Sequence, residues 1–283
     1  VKPPFVLKAD GPAAGKGVLI LDNLEDAKKE LISMLKNNKF GSSGHRVVVE
    51  EFLDGLELSC FVLTDGKSYK ILPNAKDYKR IGEGDTGLNT GGMGSISPVS
   101  FASEEFLKKA KDRIIIPTVK GLQKENIPYK GFIFIGLIMV DNDPYVIEYN
   151  VRMGDPETQV VLPRIKSDFL ELMVRTANQT LNNFDLQIHD DTYANIVMVA
   201  GGYPESYEKG NSITGIPKDN EALKIFHAGT KEIDNKLFTN GGRVLSVVSK
   251  GSDFKQALSK SYEIARKINF KDKNYRKDIG FDL

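Results

Sequence analysis

The chain has 283 residues, 40% hydrophobic and 27% charged, and its 39 basic against 38 acidic side chains leave a formal charge of +1. That is enough apolar material for a sizeable core in two or three structural units, while the balanced charge excludes a broad nucleic-acid footprint or an acidic tail, so any polyanion must be bound locally. One cysteine, Cys60, excludes an internal disulfide framework and suits a reducing cytosol, no apolar run approaches the roughly 18 residues of a membrane helix, and no signal-like segment opens the chain.

Phe5-Val6-Leu7 reads as a strand that runs into KADGPAAGKGV, residues 8–18. A P-loop needs G-x-x-x-x-G-K-[ST] and then a helix. Here three residues separate Gly11 from Gly15, Gly17 stands where the hydroxyl residue belongs, and the strand Val18-Leu19-Ile20-Leu21 follows. The stretch therefore reads as a hairpin loop with lysines at its tip, and on these residues alone a phosphate-binding role and an ordinary glycine-rich turn both stay open. A helix follows, capped by Asn23 with Glu25 and Asp26 in its first turn and Leu24, Ala27, Leu31 and Leu35 at helical spacing. Val47–Val49 and Leu58–Val62 read as strands parted by Asp54-Gly55.

The next part reaches about Asn183. It opens with DYKRIGEGDTGLNTGGMGS, residues 77–95, whose Gly82, Gly84 and Gly87 imitate a dinucleotide fingerprint without the strand before it or the helix after it. A loop so rich in glycine is either disordered or shaped around a ligand, and the flanking Asp77, Lys79 and Arg80 favour the ligand. A helical stretch after Ser103 carries Phe106, Ala110 and Ile114 on one face before Pro117 bends or restarts it. Phe132–Val140 and Tyr145–Arg152 then form a hairpin about Asp141–Asp143, and a helix runs from Asp168 to about Leu181.

The returning strand and its sequel, YVIEYNVRMGDPE, carry the strongest chemistry. Strand alternation predicts that Glu148, Asn150 and Arg152 share one face while Ile147, Tyr149 and Val151 face away. A carboxylate and an amide oxygen suit Mg²⁺, which takes its other ligands from water and phosphates, and Arg152 offers a planar fork to a carboxylate or phosphate. An exposed strand face with a surface ion pair is the plainer alternative. From about Tyr193 short strands (Ile196–Val199, Lys224–Phe226, Arg243–Val248) alternate with glycine turns, and a helix spans Asp253–Ile268. His45, His189 and His227 have no metal-binding spacing.

Taken in order, KADGPAAGKG, EEFLDG, KDYKR, DTGLNTGGMG, GLIMV, VIEYNVRMGDPE, FHAGT, TNGGRV and YRKDIG resemble the phosphoribosylamine-glycine ligases (glycinamide ribonucleotide synthetases) of the ATP-grasp superfamily, over nearly the whole chain. The resemblance implies an α+β, ATP-grasp fold in which two α+β subdomains clasp ATP, with a lid at 1–66, a metal and substrate subdomain at 67–187 and a small β-rich C-terminal domain at 188–283. It implies ATP-dependent joining of glycine to phosphoribosylamine through a glycyl phosphate, in cytoplasmic purine biosynthesis, with Mg²⁺ or Mn²⁺ and without nucleic acid or membrane. Families of this kind carry a further N-terminal domain, which is expected in cis upstream of Val1. A nucleotide-binding fragment without ligase activity, and an ATP-grasp ligase for another carboxylate–amine pair, are the alternatives.

Residue by residue, the resemblance assigns Lys8, Gly15 and Lys16 to the nucleotide phosphates, and Glu50, Glu51, Phe52 and Leu53 to the hinge that reads the adenine edge. It assigns Glu57 to the ribose hydroxyls, Glu148 and Asn150 to the metal, and Asn150 also to the nucleotide. Asp77, Lys79, Asn89, Thr90, Gly91 and Arg152 fall to the substrates, and Lys16, Arg152 and Asp155 to catalysis. The GLIMV strand lacks the second metal-binding carboxylate many superfamily members carry there. Tyr78 stands where the family usually has histidine, and Leu88 where proline is frequent.

Overall fold

The computed structural model describes residues 1–11, 13 and 17–283. The chain divides into two compact units, Val1–Gly55 and Leu56–Leu283.

In the first unit β1 (Phe5–Ala9) pairs antiparallel with β2 (Val18–Leu21) and β3 (Val47–Glu51). The hairpin predicted for residues 8–18 is present at its root, where the Ala9 N–H donates to the Gly17 carbonyl at 2.9 Å. Helix α1 (Leu24–Leu35) begins after an extended Asn23 whose side chain accepts from the Asp26 N–H at 2.8 Å, satisfying one of the donors every helix start leaves open. Its buried Ala27 and Met34, with Val6 and Leu7 of β1, make this unit's core.

The second unit begins with a long hairpin, β4 (Leu56–Thr64) and β5 (Tyr69–Asp77). A ribbon of β6 (Arg80–Gly82) and β7 (Thr86–Asn89) leads into β8 (Gly94–Ser97). Helix α2 (Glu104–Ala110), one wide π turn over Lys111–Ile115 and α3 (Ile116–Lys124) follow as one rod. Pro117 lies in the first turn of α3, where its missing N–H costs little. Then come β9 (Gly131–Val140), β10 (Asp143–Asn150), α4 (Thr158–Val161) and α5 (Phe169–Ala177). The remainder holds β11 (Thr192–Val199), β12 (Ser212–Ile213), β13 (Leu223–His227), β14 (Thr230–Ile233), β15 (Lys236–Thr239), β16 (Arg243–Gly251) and α6 (Phe254–Lys267).

Among the described residues, eight of these strands form one antiparallel sheet in the order β10-β9-β4-β5-β8-β11-β16-β13. Alternation along β4 explains its central place. Cys60 and Val62 pack on one face against Phe106, Ile115 and Val119, whereas Phe61 and Leu63 pack on the other with Val161, Leu172 and Leu181. Cys60 is the packing residue its strand suggests, and burial pushes its thiol up to about 12. A third core lies where α6 covers β11 and β16, around Ile196, Met198, Leu245, Val247 and Ala265. No helix among the described residues is long and apolar enough to cross a membrane.

Three expected boundaries differ from the structure. The lid was expected to reach residue 66, yet β4 belongs to the large sheet and the division falls after Gly55. A strand apolar on both faces needs neighbours on both sides, which the three-stranded first unit does not offer. Residues 67–187 and 188–283 also share that sheet instead of standing apart, because β11 pairs with β8 (Tyr193 with Ser97, Asn195 with Ser95). The expected helix from Asp168 to Leu181 stops at Ala177, with Gln179 turning to a positive φ of 58°.

Candidate active site

In the second unit a narrow pocket is lined by Glu57, Ser59, Asp77, Lys79, Ile147 and Glu148. Three strands supply the acids: Glu57 from β4, Asp77 from the end of β5 and Glu148 from β10. Gly136 of β9 lies between two of them, paired with Ser59 on one side and Glu148 on the other. A Cβ there would stand 3.3 Å from Glu148 Cγ, so glycine leaves the floor of the pocket low.

Lys79 joins the acids. Its Nζ lies 2.7 Å from Glu57 Oε2. Burial acts to lower its pKa, but the charges of Asp77, Glu57 and Glu148 outweigh burial and raise it, so the ammonium is charged at neutral pH. Asp77 is shifted upward by burial and by Glu57, against the opposing charge of Lys79.

Beneath this cluster is a residue without an expected role. Glu157 is 3% exposed and accepts a hydrogen bond from Ser59 Oγ at 3.0 Å. Burial, then the charge of Asp77, pushes its carboxyl up to about 7. A Cβ on Gly154 would come within 2.6 Å of Glu157 Oε2, which is the physical reason for glycine in the GDPE stretch.

Glu148 and Asn150 are arranged as expected in one respect and differ in another. Asn150 Nδ2 donates to Glu148 Oε1 at 3.2 Å, so the two share a face. Ile147, expected on the opposite face, also lines the pocket, because the register slips between Val146 and Glu148. Such a bulge re-aims side chains beside a site. Tyr149 does face away, its hydroxyl 3.0 Å from Thr118 Oγ1. Strand β10 ends at Asn150, so Arg152 lies beyond the alternation that was expected to align it; it is exposed and donates to the Met153 carbonyl at 2.9 Å. The pair presents oxygen donors only, a set that fits Mg²⁺ or Mn²⁺. Among the described residues no group of three or more His, Cys, Asp or Glu could hold a metal ion.

The Asn89–Gly91 loop, expected to meet the substrates, is braced from the far end of the sequence. Asn89 closes the ribbon opposite Arg80. Thr90 gives both its N–H and its hydroxyl to the Lys79 carbonyl, each at 2.8 Å. Gly91 donates its N–H to the Tyr203 hydroxyl at 3.0 Å, and its carbonyl accepts from Arg243 Nη1 at 2.6 Å. Arg243 also grips Asp155, Nη2 to Oδ2 at 2.6 Å. Asp155, expected to be catalytic, is thus held in a structural ion pair. Tyr78 does not point into the pocket: it is 1% exposed and its hydroxyl donates to Asp282 Oδ1 at 2.8 Å.

In the first unit Lys8 Nζ is 2.6 Å from Glu50 Oε2, so two expected nucleotide residues hold each other. Glu51 ends β3 and is exposed; Phe52 is exposed and Leu53 half-buried where the chain leaves the sheet. Gly15 and Lys16 lie outside the described residues.

The sequence model described as phosphoribosylglycinamide synthetase, ATP-grasp (A) domain, matches residues 1–158, and that of the C domain of the same synthetase matches residues 193–282. The chain belongs to the phosphoribosylglycinamide synthetase family. The phosphoribosylamine--glycine ligase of Fusobacterium nucleatum is 46% identical over 280 residues, covering 98% of this chain and 66% of that protein. A bifunctional purine biosynthetic protein of Pichia angusta is 49% identical over 278 residues, 98% of this chain and 35% of that one. The chain therefore spans about two thirds or less of these relatives.

A crystal structure of the phosphoribosylamine--glycine ligase of Thermotoga maritima superposes with a TM-score of 0.86 at 40% identity, covering 98% of this chain and 69% of that one. The biotin carboxylase of Campylobacter jejuni, at 15% identity and a TM-score of 0.70 over 94% of this chain and 58% of its own, shares the ATP-grasp fold. The synthetase family gives the expected fold its name. Arg243, Tyr203, Glu157 and Arg276 were missed as site or scaffold residues, although TNGGRV, GDPE and YRKDIG had been recognised as family segments. Those segments identify a family without saying which side chain touches which.

Proposed function

We propose that this chain carries the nucleotide, metal and acyl-transfer machinery of a phosphoribosylamine-glycine ligase that uses ATP and Mg²⁺ or Mn²⁺. The observation that carries the reading is the Lys79 ammonium set among Glu57, Asp77 and Glu148 in a member of this family. Similar proteins named as phosphoribosylamine--glycine ligases cover nearly all of the chain, which supports the same substrates here.

In this reading a glycine carboxylate oxygen attacks the γ-phosphorus and ADP leaves; the amine of phosphoribosylamine then attacks the carbonyl carbon, phosphate leaves and the nitrogen loses a proton. Both steps shift negative charge between oxygens, so fixed positive charge and positioning carry the catalysis. Glu148 and Asn150 would hold the metal, which neutralises phosphate charge when bound. Lys79 faces the reacting oxygens with an ammonium its acidic neighbours keep protonated. Exposed Arg152 offers its fork to the glycine carboxylate. Lys8 is suited to a phosphate, exchanging the Glu50 carboxylate for it, and the backbone of Glu50–Leu53 to the adenine edge, with Glu57 toward the ribose. Asn89, Thr90 and Gly91 form the wall for the amine. Asp77 and Lys79 lie at the base of that wall. The single buried Cys60 suits a cytosolic setting.

The test is ADP release by the protein at its natural length. Release that needs both glycine and phosphoribosylamine supports the assignment. Release with a different carboxylate–amine pair, or Mg-ATP binding without turnover on either, overturns it.

A further inference from the structure

Arg276 is the largest fully buried side chain among the described residues, and it is charged. Its Nε and Nη2 donate to Asp278 Oδ1 and Oδ2 at 2.8 and 2.7 Å, and its Nη1 donates to Asp85 Oδ1 and, at 3.3 Å, to the Arg80 carbonyl. Tyr78 and Phe281 lie on the guanidinium, 5.4 and 5.7 Å from their ring centroids. Asp278 has a second task, accepting the Gly84 N–H through Oδ2 at 2.7 Å. The two acceptors outside the C-terminal segment, the Arg80 carbonyl and Asp85, lie on the ribbon of β6 and β7 and at its tip.

That ribbon has no apolar core of its own: near its root Ile81 of β6 packs against the third core, and the tip carries no such anchor. Along β7 all four residues are exposed, and Gly84, Asp85 and Gly87 sit at positive φ of 64°, 52° and 78°. A glycine-rich segment of this kind gains little from burial and loses much backbone entropy when ordered. At its root are Lys79 on one side and Asn89, Thr90 and Gly91 on the other, joined by the two hydrogen bonds from Thr90 to the Lys79 carbonyl. Whatever fixes the tip therefore fixes the wall of the pocket. The C-terminal segment is in turn anchored to the third core, by paired hydrogen bonds between Asn274 and Val199 and by the Ile279 N–H on the Tyr262 hydroxyl at 3.0 Å.

We propose that Arg276 is a positioning residue: with Asp278 it clamps the tip of the Arg80–Asn89 ribbon to the C-terminal core and so pre-orders the Lys79 and Asn89–Gly91 wall for the amine substrate. The proposal rests on the ligase reading for the identity of that substrate, and on geometry alone for the clamp. Burial acts to lower the pKa of the guanidinium, but the hydrogen bonds and charges of Asp278 and Asp85 outweigh it and raise it, so Arg276 keeps its charge. Preordering of this kind acts through the acceptor and leaves nucleotide binding untouched.

Asp85→Asn tests it without emptying the core, since Asp85 is nearly half exposed and asparagine tolerates its left-handed backbone. Arg276→Met is the companion variant, read only if it folds. In the protein at natural length, Asp85→Asn should speed amide hydrogen exchange about tenfold or more at residues 82–89 while leaving β11, β16 and α6 unchanged. It should raise KM for phosphoribosylamine about tenfold with KM for ATP unchanged. Unchanged exchange in the ribbon overturns the clamp, and faster exchange with an unchanged acceptor KM overturns the positioning role. If the unmutated protein turns over no glycine, the ligase reading has failed instead, and the exchange arm still decides the clamp.

Discussion

Arg243 and Asp155 meet in a two-point ion pair, Nη2 to Oδ2 at 2.6 Å and Nη1 to Oδ1 at 3.2 Å, and the same Nη1 reaches the Gly91 carbonyl at 2.6 Å. One guanidinium thus ties the start of β16, the GDPE turn and the Asn89–Gly91 loop together. A planar fork can hold three oxygens at once where a lysine cannot. Arg243→Lys should therefore lower acceptor-dependent turnover about tenfold or more without weakening Mg-ATP binding. In a double-mutant cycle with Asp155→Asn, read by denaturant unfolding, the coupling should reach about 1 kcal/mol. Strictly additive effects would show that the pair is ornamental to the loop.

Glu157 gives a pH signature. Its folded carboxyl titrates near 7 against an ordinary 4.5, so between those values the folded state binds the proton more tightly than the unfolded chain. Stability held by that proton is present at low pH and is lost as pH rises through about 7. Glu157→Gln keeps an acceptor for Ser59 and removes the titration. The variant should match the parent near pH 4.5 and melt a few degrees higher at pH 8. A parent whose stability relative to the variant rises between those pH values would contradict the assignment.

Glu148→Ala should cost on the order of 10² or more in Mg-ATP-dependent turnover. The side chain is exposed on its strand, so its loss opens no cavity and the melting temperature should stay within a few degrees. Turnover and Mg²⁺ dependence equal to the parent's would remove Glu148 from the metal site.

Lys8→Met should weaken Mg-ATP binding about tenfold, a loss of about 1.4 kcal/mol. Isothermal titration calorimetry with Mg-ATP and with adenosine separates the arms: only the phosphate-bearing ligand should lose affinity. Equal loss on both would mean that Lys8 serves the first unit's fold through Glu50.

Local pattern made part of this legible. The strand at Leu58–Val62, the Asn23 cap and the turn about Asp141–Asp143 each depend on neighbours a few residues away, and all are found in the structure. Strand β5 was not foreseen, because Pro73 and the polar ends of YKILPNAKD hide a strand that only its neighbours stabilise. The slip at Ile147 was equally hidden, since a bulge leaves the periodic pattern unchanged on either side of it. Arg243, Arg276 and Tyr203 act on partners more than 80 residues away, and nothing in local spacing marks such pairs. The Glu148–Asn150 pair was readable because both of its members lie on one strand.

The pairing of β8 with β11 also sets an order of assembly. Strand β8 is complete at Ser97, but the strand that covers its free side ends only at Val199. A chain emerging from the ribosome must hold Gly94–Ser97, buried in the finished sheet, as an open edge while about a hundred further residues are made. The Asn89–Gly91 loop, which waits on Arg243 and Arg276, sets later still. The nascent protein therefore finishes the β4–β9–β10 ladder that carries Glu148 and Asn150 well before the Asn89–Gly91 loop is fixed, and its window of greatest aggregation risk lies between those two events.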